Sequence, residues 1–199
     1  MRWLPADSTA WRTLAVSAGF ELGLGGLAFL IGWVIGIEVL DGVIPTWNTF
    51  AAGIAATVPM IAILFVLLRW PPGSFKELEN RMRQWVRVLI APTGVFGLLL
   101  ISVAAGIGEE LLTRGLIHTW LLLHSPPSVA LCLTAVIFGL MHPVSRIYIV
   151  MAAIVGAYLG WVWMACDKNL VAPAVAHAFY DFVALLVLSK GGKQSSARP

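Results

Sequence analysis

A chain of 199 residues in which 59% are hydrophobic and 12% charged, with a mean hydropathy of +0.88, does not match a water-soluble domain, where about 25% of residues are charged. It reads as an integral membrane protein, long enough for one all-α polytopic bundle and no second domain. The formal charge of +3 is small, and basic residues in such a chain set orientation, so the expected partner is the lipid bilayer and not nucleic acid.

The first residues carry Arg2, Asp7 and Arg12. The apolar run behind them exceeds a signal-peptide core and lacks a small-x-small cleavage site, so it is read as a retained span over about 14–37. Gly19 with Gly23 and Gly32 with Gly36 stand four apart, a spacing that lets a second helix approach. Glu21, inside this run, is expected to reach an interface or to hydrogen-bond within the bundle. Glu38, Asp41, Gly42 and Pro45 mark an acidic loop. A second span follows at about 50–68, with Pro59 expected to kink it, and Arg69, Trp70 and Pro71-Pro72-Gly73 end it. In 74–90, Ser74 and Glu77 have capping-box spacing. Phe75, Leu78, Met82, Trp85 and Leu89 recur at helical spacing opposite Lys76, Arg81, Arg83 and Arg87, which predicts an amphipathic helix along an anionic membrane surface.

Residues 92–123 are apolar except for Gly106–Arg114, which reads GIGEELLTR. One long tilted helix and two short spans broken at Gly106–Gly108 both fit. Further spans are expected at 128–143, 146–165 and 170–188, with a polar tail at 189–199. A single crossing at 92–123 gives six spans and gathers Arg2/Arg12, Arg69–Arg87, Arg146 and Lys190/Lys193/Arg198 on one side, as the positive-inside bias favours with a cytoplasmic amino end. Seven spans are the alternative. Trp47, Trp70 and Trp85 are expected interfacial anchors. Cys132 and Cys166 lack CxxC spacing and read as plain buried side chains.

Ionisable residues at membrane depth cost a few kcal/mol or more, so they need partners and usually a function. Glu110 and Arg114, four apart, share a helix face and can pair; Glu109, rotated by about 100°, stays free to face a cavity. Downstream stand Phe138 and His142 in AVIFGLMHP, then His177 and Asp181 in VAHAFYDFV, again four apart. A carboxylate, two imidazoles and a second carboxylate can activate water directly or hold a divalent metal that does so. His118 and His124 read as structural, and Gly156 with Gly160 as a close helix contact.

The order Glu109-Glu110-x-x-x-Arg114, Phe138-x-x-x-His142, His177-x-x-x-Asp181 resembles the CPBP group of intramembrane proteases, the CAAX-prenyl-protease and bacteriocin-processing enzymes also called Abi. The resemblance covers about 92–188, and it departs from the group at Thr113, often Phe there, and at Asp181, more commonly Asn. It implies Glu109 as general base, with His142 and His177 positioning the water and stabilising the oxyanion. It further implies Asp181 as the residue orienting His177, and Glu110 with Arg114 and Phe138 in support. If the group is metal-dependent, His142, His177 and Glu109 would be ligands of an ion such as Zn²⁺, although no HExxH helix is present. The expected protein is an endopeptidase of the prokaryotic inner membrane acting on a peptide or lipidated-protein substrate. A non-enzymatic scaffold or immunity protein, and a proton or ion carrier, are the alternatives.

Overall fold

The computed structural model describes residues 8–190, apart from the side chain of Ser74. Its helices are α1 (Ser8–Ile35), α2 (Trp47–Arg69), α3 (Gly73–Trp85), α4 (Gly94–Glu110), α5 (Thr119–His124), α6 (Pro127–Leu140), α7 (Arg146–Ala165) and α8 (Val171–Ser189). No strand occurs among the described residues. Five helical runs are long and apolar enough to cross a bilayer, and α6, with 14 residues, is apolar but shorter. The expected helical bundle is therefore the fold, and the chain is an integral membrane protein. Arg2, Asp7, Lys193, Arg198 and the proposed Ser74 cap lie outside the described residues.

Polar groups are gathered in the interior and the exterior is apolar. Arg114, His118, Glu110, Thr57, Thr113 and Ser102 are among the largest fully buried side chains, whereas Val16, Phe20 and Trp33 are exposed. Lipid accepts large apolar side chains at no cost, while polar groups must find partners inside the protein.

Small residues set where helices meet. The main packing partners are α2 with α8, α6 with α7, and α4 with both α1 and α8. Gly106 faces α8, where a Cβ would lie 2.8 Å from the Ala174 carbonyl oxygen. Gly108 faces α1, where a Cβ would collide with the Glu21 carbonyl. These glycines are contact points and not helix breakers: α4 runs through them and continues, by wide π-type turns over Leu111–His118, into α5. The stretch is thus a single long helix. At Gly19 and Gly23, by contrast, an added Cβ would have nothing within 4 Å, so the helix contact expected there does not form. Gly36 (φ +74) ends α1, and the following loop folds back, burying Ile37 and Val39. That loop is tied to the start of α8 by Leu170 N–H donating to the Gly42 carbonyl (2.7 Å) and Asn169 donating to that of Ile44 (2.8 Å).

Three further expectations are corrected. In α3, Phe75, Leu78 and Met82 face inward as the periodicity predicts, but Trp85 and Leu89 are exposed and Val86 is buried in their place. The cause is a widening of the helix over Val86–Ile90, which rotates the apolar face before Gly94 (φ +75) turns the chain into α4. Arg83 and Arg87 do not face solvent freely: Arg83 donates to the carbonyls of Val187 (2.9 Å) and Lys190 (3.1 Å), and Arg87 to Lys190 (3.3 Å). Cys132 is exposed on α6 and only Cys166 is partly covered, so neither is a buried core thiol.

Candidate active site

The site assembles on α4, the α6–α7 connection and α8. Glu110 is 1% exposed and Arg114 0%. Arg114 Nη1 donates to Glu110 Oε1 (2.7 Å) and to Thr113 Oγ1 (2.9 Å), and Nη2 donates to the Gly156 carbonyl. The wide turns keep residues 110 and 114 on one face, and π-type insertions of this kind concentrate at functional positions. Gly156 serves twice, since its carbonyl takes Arg114 and a Cβ there would press on Phe138 at 2.9 Å. The Phe138 ring lies under the guanidinium (5.0 Å) and beside the rings of His142 (4.9 Å) and His177 (5.9 Å). One aromatic ring thus spaces the cation from both imidazoles.

Because α6 ends at Leu140, His142 stands on the connection and not inside a span. Its Nδ1–H donates to the Phe138 carbonyl (2.8 Å), which directs Nε2 toward Glu109, 3.6 Å from Oε2. Burial of His142 disfavours its cation, but the Glu109 carboxylate outweighs that, and its pKa moves up from the ordinary value. His177 Nδ1–H donates to Glu110 Oε1 (3.0 Å) while Nε2 faces Asp181 Oδ2 at 3.5 Å. His177 therefore bridges two carboxylates.

Glu109 is 6% exposed, and its Oε2 is buried with no hydrogen-bond partner. It lines a cavity of about 300 Å³ together with Glu21, His142, Tyr148, Tyr180 and Asp181. The structure thus brings Glu109, His142 and Asp181 to one cavity wall, with Glu110, Arg114, Phe138 and His177 packed behind. Neither Glu21 nor Thr113 was singled out for this site by the sequence. Glu21 lines the cavity, and its Oε2 is buried with no hydrogen-bond partner. Thr113 donates to the Glu109 carbonyl (2.6 Å) while receiving Arg114, linking the two charged residues. Four-residue spacing from Glu109 was a usable signal for Thr113. For Glu21 the signal was a carboxylate inside an apolar span, while its place at this cavity follows from where α1 crosses Gly108. His118 packs on Trp163 (4.8 Å) and is absent from this cavity, and His124 Nδ1–H donates to the Trp120 carbonyl (2.8 Å) at an exposed helix end.

Residues 91–183 match the family model described as type II CAAX prenyl endopeptidase Rce1-like. The CAAX-protease resemblance is shown. That stretch runs from the start of α4 into α8 and contains Glu109, Glu110, Arg114, Phe138, His142, His177 and Asp181, and the family is one of proteases. Neither the curated proteins nor the solved structures give a match. The family question of a metal meets a donor set in which His177 is engaged by carboxylates on both sides. Among the described residues, no three His, Cys, Asp or Glu side chains converge as a metal-holding group.

Proposed function

We propose that this protein is an intramembrane endopeptidase in which Glu109 activates the attacking water. The observation that carries the reading is the Glu109 carboxylate. Its Oε2 is buried, unpartnered and on the cavity, with the Nε2 of His142 3.6 Å away. A buried acceptor left open in this way is suited to a water that it can deprotonate.

In the proposed sequence Glu109 takes a proton from water, and the oxygen attacks the scissile carbonyl. His142, held by Phe138 with its Nε2 toward the cavity, donates to the developing oxyanion. Glu109 then returns its proton to the leaving amine. His177 acts behind this pair by fixing Asp181 against Glu110. Arg114 neutralises Glu110, so that only Glu109 and Asp181 of the motif carboxylates face the cavity. The substrate class suggested by the family description is a prenylated, CAAX-type peptide, presented from the bilayer to a cavity whose remaining walls are mostly apolar. An amino end on the cytoplasmic side, with α3 on that surface, follows from the distribution of Arg69, Arg83 and Arg87.

The test uses the full chain in lipid nanodiscs with membrane-anchored peptides. Glu109→Gln is expected to bind them as the unmodified chain does and to lose about 10²–10⁴-fold in cleavage rate, the usual contribution of a general base. Cleavage within a few-fold of the unmodified chain would sink the assignment.

A further inference from the structure

Charge around the cavity does not balance. Five carboxylates meet there or directly behind it, namely Glu21, Glu79, Glu109, Glu110 and Asp181, against four groups able to carry positive charge, Arg83, which pairs with Glu79 at 2.8 Å, and Arg114, His142 and His177. Arg114 pairs with Glu110 at 2.7 Å, His142 stands 3.6 Å from Glu109, and His177 stands 3.5 Å from Asp181. Glu21 is the carboxylate left over. The charges acting on it are those of Glu109, Asp181, His142 and His177, and its Oε2 is buried without a partner.

The fold holds Glu21 there. The Glu21 carbonyl rests on Gly108, one residue before Glu109, so α1 cannot slide without opening that contact. Two buried carboxylate oxygens, on Glu21 and on the 6%-exposed Glu109, thus line one cavity with no hydrogen-bond donor to either. Beyond them the cavity continues between α4 and α8 along Ile101, Ala105 and Leu185 to Met82 of α3. The result is a largely apolar slot with two unpartnered carboxylate oxygens at one end, the Glu79 carboxylate at the other being paired with Arg83. A group with a long apolar stem and a cationic tip satisfies both parts, because the stem desolvates against the walls while the tip meets the acceptors.

We infer that Glu21 is a specificity-determining residue that receives a lysine or arginine side chain of the substrate peptide, next to the bond presented to Glu109. This rests on reading the cavity as the substrate site of a peptidase, and binding is therefore measured apart from cleavage.

The probes are fluorescent peptides with one hydrophobic anchor, identical except for Lys, Gln or Glu at a single position that is moved along the sequence. They are titrated by anisotropy against the Glu109→Gln chain in nanodiscs, with and without Glu21→Gln, an isosteric change whose folding is checked by the thermal midpoint. At the best position the Lys peptide is expected to bind about tenfold or more tighter than the Gln peptide and the Glu peptide weakest. Glu21→Gln is expected to abolish that order, whereas Asp181→Asn should leave a Lys preference. Equal affinity for the three peptides at every position, a Lys preference that survives Glu21→Gln, or no binding by any of them would each overturn the inference. A Glu21-dependent Lys preference without cleavage by the unmodified chain would leave the cation site standing and refute the peptidase reading.

Discussion

Arg114 shows what a buried ion pair costs and secures. It is fully buried and makes hydrogen bonds to Glu110, Thr113 and the Gly156 carbonyl. Arg114→Met leaves the buried Glu110 without its cation, held only by the His177 hydrogen bond, so we expect a loss of about 3–5 kcal/mol in stability. Arg114→Lys should recover little, since an ammonium cannot span the carboxylate and the carbonyl as the guanidinium fork does. Unfolding of both variants in mixed micelles checks this, and a Lys variant as stable as the parent would contradict it. His142 carries a second prediction. Its pKa is raised, with burial opposing and the Glu109 carboxylate prevailing, and the cation is the form that donates to an oxyanion. Activity should therefore persist at pH values where an ordinary imidazole, with pKa about 6.5, has lost its proton, and should decline as pH rises through the raised value. The same sign applies to stability: the Glu109–His142 attraction is complete below about 6.5 and fades above the folded-state value. A kcat/KM profile that climbs through that window would exclude the cationic role.

At the scale of elements, the glycines decide which helices bring chemistry to α4. Gly108→Ala sets a methyl against the Glu21 carbonyl and Gly106→Ala sets one against the Ala174 carbonyl, whereas Gly23→Ala meets nothing. The first two should lose about 1–3 kcal/mol by overpacking, and Gly23→Ala should be neutral or gain a few tenths of a kcal/mol from helix propensity, up to about 1. Thermal midpoints of the three variants test the ranking, and equal midpoints would mean that the helices do not meet where these glycines stand. The carboxylates, the imidazoles and the Glu110–Arg114 pair were legible because spacing along one helix fixes a shared face whatever the surroundings. The approach of α1 was not, since Gly19 and Gly23 carry the same local pattern as a real contact. Likewise, apolar periodicity could not tell inward Val86 from outward Trp85 and Leu89, because lipid and protein interior accept both equally.

Across the whole molecule, α3 closes the end of the cavity remote from Glu109, and its attachment rests on charge as well as on the buried Phe75 and Leu78. Phe75, Leu78 and Met82 line the cavity floor, while Arg83, steadied by Glu79 at 2.8 Å, caps the last carbonyls of α8. Cations at a helix C-terminus contribute about 0.3–1 kcal/mol, rising toward 2 where partly buried, and Arg83 meets three carbonyls of that helix end. We expect Arg83→Ala to weaken the α3–α8 attachment by about 1–2 kcal/mol, without altering the Glu110–Arg114 cluster at the opposite end of the slot. Hydrogen exchange should then quicken about 5- to 30-fold at the amides of α3 and stay unchanged in α4 and α8 around Glu109 and His177. Uniform acceleration through all helices would show instead that α3 and the rest of the bundle open as one cooperative unit.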